Sequence, residues 1–248
     1  MPEQDEFYTG YLPQAPPGVA AWTKKAVVLV FVVTAAVALA LAAAQSPFSK
    51  AAYEFGDLGT VEGVVRERPY PTLEVDRPGA GGASRYLLVN PFKHGATVDG
   101  LDGKRVAVVG SLIHRDDQTM LELVLPGKTA VLGAAGAGAA ERSLGVHTLV
   151  GRIVDGKCWL GIMKPGEGKP HRSCAARCIS GGIPPLFVVG DERGPLLKLL
   201  LVDAGGGAVN RRVLHLVDEP LEIRGEVARL DDLWILKADP ETYRRLAP

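Results

Sequence analysis

The chain has 248 residues, of which 47% are apolar and 23% are charged, a composition typical of globular proteins long enough for one large domain or two small ones. Lysine plus arginine and aspartate plus glutamate each total 28, so the formal net charge is zero. This balance excludes a strongly basic protein, and we expect no nucleic-acid partner.

An apolar segment near the N-terminus predicts a membrane anchor. Residues 26–44 carry no charged side chain, and a helix needs about 20 apolar residues to cross a bilayer. We therefore predict an N-terminal tail over residues 1–25 and a single transmembrane helix over 26–45.

The basic residues around this segment indicate its orientation. Lys24 and Lys25 precede it directly, whereas the next basic residue is Lys50, so the positive-inside rule places the tail in the cytoplasm and the main part of the chain outside. In a bacterium this is a single-pass protein of the inner membrane with a periplasmic C-terminal part. The alternative is a signal peptide cleaved near the small residues 42–45. The long, partly acidic segment before the apolar run favours the uncleaved anchor.

The rest of the chain has the pattern of a β protein. Short runs of Val, Leu and Ile alternate with Gly, Asp and Pro, as in strands joined by turns. A Gly/Ala-rich stretch divides this region near its middle. We predict a first β domain over 46–130, a linker over 131–146, a second β domain over 147–240 and a C-terminal tail over 241–248.

The two β domains are related by an internal repeat. Three blocks recur in the same order, namely residues 61–65, 85–90 and 104–123 in the first half and 149–155, 198–203 and 219–238 in the second. Gly110 corresponds to Gly225, and Asp116 to Asp231, with the aspartates placed in hairpin turns. This order of strands resembles the small Greek-key barrels of the oligonucleotide/oligosaccharide-binding (OB) type. The expected fold is therefore mainly β, with a transmembrane helix followed by two OB-like barrels.

The second copy contains an insertion. Gly63 and Gly110 are 47 positions apart, whereas Gly151 and Gly225 are 74 apart, and a segment over 157–184 accounts for the difference. The first copy indicates that a barrel forms without this segment, so the insert is a better candidate for a site than for scaffold.

The insert holds every cysteine of the chain and one of its five histidines. Thiolates and imidazole are the ligands that select Cu(I), zinc or iron–sulfur clusters. A short helix over 171–178 would bring three of these side chains onto one face. We predict a metal site, with copper as the first candidate and zinc or an iron–sulfur cluster as alternatives, formed by Cys158, His171, Cys174 and Cys178. Met163 is a further candidate, since its thioether favours Cu(I), although packing is the commoner role of a methionine among apolar neighbours.

The CxxxC pair of Cys174 and Cys178, together with a histidine, resembles the copper-delivery proteins of cytochrome oxidase assembly. Those proteins place CxxxC and a distant histidine around one copper ion, which implies a copper site here. They are thioredoxin-like and their histidine lies far downstream of the cysteines, so the resemblance concerns ligand chemistry alone.

Two other interpretations of the cysteines stay open. Cys158 paired with Cys174 or Cys178 would close a loop of about 15 to 20 residues and contribute about 3 kcal/mol, leaving one spare thiol. Alternatively, basic side chains of the insert stabilise a reactive thiolate or an anion. The candidates for that role are Lys169, Arg172 and Arg177.

The remaining histidines lie on or beside predicted strands, and His147 and His215 are reserve ligands because both belong to the second copy. Together these features predict a membrane-anchored extracytoplasmic protein with a Cys/His site for a soft metal. Its expected role is metal handling or electron-transfer support for a membrane or periplasmic oxidoreductase, without catalysis by this chain. The alternatives are a non-catalytic assembly or interaction subunit with a structural disulfide, and a thiol-disulfide oxidoreductase.

Overall fold

The computed structural model describes residues 14–45, 51–77, 82–124, 128–190 and 196–247. The described residues do not include residues 1–13 of the predicted tail, Lys50 or the terminal Pro248. The chain divides into two compact units, residues 1–48 and 49–248. The first contains one apolar helix and the second contains two closed five-stranded β-barrels, so the predicted fold class is confirmed.

Helix α1 spans Pro17–Ala44 and has no buried residue. It begins nine residues earlier than the uncharged segment, because Pro17 suits the first helical turn, where no backbone N–H is needed. Its length and its hydropathy of 2.8 are sufficient for a membrane span or for a signal sequence.

The first barrel is a Greek key. Its strands are β1 Ala52–Tyr53, β2 Gly59–Arg66, β3 Thr72–Arg77, β4 Gly82–Val89, β5 Lys104–Arg115, β6 Gln118–Leu123 and β7 Ala130–Ala134. The barrel order is β5-β2-β3-β4-β6, and pairing of β5 with β6 closes it. Strands β4 and β6 are parallel and the other pairs are antiparallel. Strands β1 and β7 add to the long strand β5.

The second barrel repeats this topology. Its strands are β8 Arg142–Asp155, β9 Pro185–Val189, β10 Leu197–Val202, β11 Leu221–Leu230 and β12 Leu233–Lys237, and β13 Arg244–Arg245 pairs with β11. The order is β11-β8-β9-β10-β12, closed by β11 with β12, and β10 and β12 are parallel. Strand β7 and the start of β8 occupy much of the predicted linker over 131–146. The Gly/Ala-rich sequence still forms a strand there because β5 offers it a free edge.

The corresponding residues of the repeat have the same roles in both barrels. A Cβ atom at Gly110 would clash with the carbonyl oxygen of Glu122, and one at Gly225 would clash with that of Lys237. Asp116 and Asp231 both lie in hairpin turns with φ of 55°. The correspondence predicted from the sequence is therefore present in the fold.

A separate apolar cluster joins the two barrels. It contains Leu87 and Met120 from the first barrel, Leu200 from the second and Trp159 from the insert. The Trp159 ring is fully covered, with the Arg115 guanidinium 3.9 Å from the ring centre. The insert therefore packs between the barrels, and the position of its cysteines depends on both.

Candidate metal centre

The insert replaces the short connection after the first strand of the second barrel. Residues 67–71 join β2 to β3, whereas residues 156–184 join β8 to β9. The longer connection begins with a π-helical turn, Cys158–Ile162, and later forms helix α2, Arg172–Ser180. Helix α2 is the predicted short helix. His171 directly precedes it, and Cys174 and Cys178 lie one turn apart on it.

A buried carboxylate fixes both parts of the insert. Asp155, the last residue of β8, is fully buried, and its Oδ1 atom accepts a hydrogen bond from the Cys158 backbone N–H at 2.7 Å. Its Oδ2 atom lies 3.0 Å from His171 Nε2, and His171 is also buried. The hydrogen bond with Asp155 raises the pKa of His171, although burial opposes the shift. Asp155 therefore holds the π-helical turn and the start of α2 together.

The structure distributes the four predicted Cys and His ligands over two overlapping groups that share Cys158. The sulfur atoms of Cys158 and Cys174 and a ring nitrogen of His171 all lie within 4.8 Å of one another. A second, overlapping group with the same spacing joins Cys158 and Cys178 to Asp155. Cys158 and Cys178 are buried and Cys174 is half-buried, and all three are free thiols. The site therefore has one donor within reach of solvent.

The thiols differ in acidity. The hydrogen bond from Cys158, together with the positive charge of Lys93, lowers the pKa of Cys178 to about 7. The same hydrogen bond raises the pKa of Cys158, and burial and the nearby Asp155 carboxylate add to the effect. Within this pair of the metal-free protein, Cys178 is therefore the thiol that ionises first.

A lysine from the other barrel lies beside two of these sulfurs. Lys93 lies in the connection between β4 and β5, and its Nζ atom is 2.8 Å from Cys174 Sγ and 3.6 Å from Cys178 Sγ. Among the described hydrogen bonds, none joins a predicted basic residue of the insert to a cysteine sulfur. Arg172 pairs instead with Glu219, while Lys169 and Arg177 are exposed.

The buried Lys157 side chain connects the insert to the loop that carries Lys93. The ammonium group of Lys157 donates to the carbonyl oxygens of Asn90 at 2.9 Å and Phe92 at 2.7 Å, and it pairs with the Glu122 carboxylate. Each hydrogen bond crosses from the second barrel to the first. The site therefore needs both barrels in their observed arrangement.

The other predicted ligands lie outside the two donor groups. Met163 follows the π-helical turn with 43% of its side chain exposed. His147 and His215 are exposed, and the His147 ring is 3.1 Å from the carbonyl oxygen of Leu144. Met163 as a ligand stays a prediction.

The donor set can hold a soft metal ion. If His171 donates its Nε2 proton to Asp155, the Nδ1 lone pair is free for a metal, which is the usual arrangement of metal-binding histidines. Two sulfur atoms complete a three-donor set with Cys178 beside it. Support for this site comes from its geometry, because the chain matches no protein-family model, no curated protein and no solved structure.

Proposed function

We propose that this chain is a membrane-anchored extracytoplasmic protein that holds one soft metal ion, with copper as Cu(I) the preferred metal. Its role is metal handling or electron-transfer support for a membrane or periplasmic oxidoreductase, and it catalyses no reaction itself. The observation that carries the proposal is the convergence of Cys158, His171 and Cys174, whose donor atoms lie within 4.8 Å of one another in the insert.

The donor set favours copper over the other soft metals. An iron–sulfur cluster of the common type needs four cysteine ligands, and the chain has three. Structural zinc takes four tetrahedral ligands, whereas the group that contains the histidine has three members. Thiolate sulfur selects Cu(I) among the biological copper states, and a site of two sulfurs and one imidazole meets this requirement.

The half-buried Cys174 supports a role in metal transfer. Cys158 and His171 are 5% and 4% exposed, while Cys174 is reachable from solvent. A metal ion that enters or leaves must exchange a ligand with its donor or acceptor, and Cys174 is the position where this exchange can begin. Helix α1 would anchor the chain in the membrane that contains its partner.

A specific observation favours a second candidate, a thiol-disulfide oxidoreductase. Cys178 has a lowered pKa, and its sulfur lies within 4.8 Å of that of Cys158. Redox-active cysteine pairs use such a thiolate as the nucleophile. In this alternative Cys158 and Cys178 would form the reversible disulfide.

Elemental analysis of the full chain, purified in detergent, tests the proposal. We expect about one equivalent of copper, lost in Cys174→Ser and retained in Ser173→Ala, a change at the neighbouring exposed position of α2. Protein that contains no metal and one disulfide by mass would contradict the proposal and favour an assembly subunit. Metal-free protein that reduces a model disulfide, with the activity lost in Cys178→Ser, would favour the oxidoreductase.

A further inference from the structure

The connection that carries Lys93 is packed against the C-terminal end of α2. The Gly95 backbone N–H donates to the Gly181 carbonyl oxygen at 3.0 Å. A Cβ atom at Gly181 would clash with the Lys93 carbonyl oxygen, so glycine allows the two backbones to approach. The position of the Lys93 ammonium is therefore set by backbone contacts as well as by its own side chain.

The Lys93 ammonium lies beside the sulfurs without belonging to the donor set. It is a permanent positive charge at neutral pH, held 2.8 Å from Cys174 Sγ. Each thiolate sulfur has several lone pairs, so it can bind a metal and accept a hydrogen bond at the same time. Hydrogen bonds to metal-bound sulfur are a general means of tuning such sites.

A fixed cation beside a metal site discriminates between metals by charge. At equal distance it repels a divalent ion twice as strongly as a monovalent one. The cation also favours ionisation of the thiols, and this assists the binding of both metals equally, because both require deprotonated sulfur. The effect that differs between the metals is the repulsion between Lys93 and the bound ion.

On the basis of the proposed function, we propose that Lys93, supplied by the first barrel, is a specificity residue that makes the site of the second barrel prefer monovalent Cu(I) to divalent Zn(II). The proposed donors Cys158, His171 and Cys174 alone would accept either metal. The cation from the neighbouring barrel adds the charge preference. This gives the association of the two barrels a function beyond stability.

The test compares Cu(I) and Zn(II) affinities of the full chain in detergent, by competition with a chromophoric chelator for each metal under anaerobic conditions. Lys93→Gln removes the charge without adding a sulfur donor, whereas Lys93→Arg keeps the charge. Lys169→Gln removes the same net charge from an exposed position of the insert and serves as the matched control. Because Lys93 is exposed and screened by solvent, we expect Lys93→Gln to lower the ratio of Cu(I) to Zn(II) affinity by about tenfold.

We expect Lys93→Arg and Lys169→Gln to keep the ratio of the unmodified chain. A Lys93→Gln ratio equal to that of the unmodified chain, with metal binding intact, would overturn the inference and leave the proposed function standing. An equal loss of both affinities would also overturn it, because it would indicate a structural role. If the unmodified chain binds neither metal, the proposed function fails and the inference fails with it. Lys93→Leu, with the same expected ratio, provides a second variant if Lys93→Gln is poorly folded.

Discussion

Replacement of Asp155 by asparagine tests whether one buried carboxylate organises both the insert and its histidine. The asparagine would keep the shape of the side chain, and its carbonyl oxygen could still accept the Cys158 backbone N–H. Its NH2 group would then face His171 Nε2, which lies 3.0 Å from the carboxylate in the unmodified chain. The ring would have to accept a hydrogen bond at Nε2 and carry its proton on Nδ1.

The structure sets the size of two effects. The Asp155→Asn variant loses a buried charge-assisted hydrogen bond, which lowers the free energy of unfolding by about 2 kcal/mol. Because Nδ1 becomes protonated, the variant also loses the lone pair proposed for the metal. Loss of the hydrogen-bond partner of a metal-binding histidine lowers metal affinity about 10- to 100-fold.

Urea denaturation and Cu(I) competition measure these two effects. The raised pKa of His171 means that its stabilising interaction with Asp155 is fully present below the unfolded-state value, about pH 6.5, and is lost as the pH rises through the folded-state pKa. The stability difference between the two proteins should therefore be largest at acidic pH. Asp203→Asn is the matched control, because the Gly205 and Gly207 N–H groups donate to its Oδ1 atom and both contacts survive the change. Asp155→Asn protein with unchanged stability and unchanged Cu(I) affinity would refute the reasoning.

Three further predictions concern the barrels, the thiols and the N-terminal helix. Gly225→Ala should lower the free energy of unfolding by about 2 kcal/mol, because its Cβ atom would meet a backbone carbonyl on β12. Gly59 faces open space, so Gly59→Ala should change the free energy little in the same denaturation assay. The ultraviolet absorbance of thiolate in the metal-free protein should rise with a midpoint near pH 7, the pKa of Cys178. Cys158→Ala should move that midpoint upward by removing the hydrogen bond, whereas an unshifted midpoint would contradict this assignment. The full chain should stay in membranes after alkaline extraction and a chain without α1 should be released, while release of both would exclude an anchor.

The sequence was sufficient to predict the two barrels and their relationship. Gly110 and Gly225 recur because a side chain at either position would collide with the adjacent strand. Asp116 and Asp231 recur because both occupy hairpin turns with positive φ. Such requirements are local to a strand or a turn, so they leave a pattern in the order of residues.

The candidate ligands were also predictable, because the three cysteines and His171 lie close together in the chain. Asp155 was not identified as part of the site, although its position at the end of the strand before the insert was a usable signal. Lys93 could not be found in this way. It reaches Cys174 from 81 positions away, through the packing of one barrel on the other, and nothing in its own neighbourhood marks it as part of the site.

X-ray absorption spectroscopy of the copper-loaded full chain tests the central claim most directly, because it identifies the atoms bound to the metal. We predict Cu(I) with two or more directly bound sulfur atoms and one nitrogen, and the same ligand set in Ser173→Ala. A copper ion surrounded by oxygen and nitrogen alone, or a chain that takes up no copper while its three thiols stay reduced, would contradict the account.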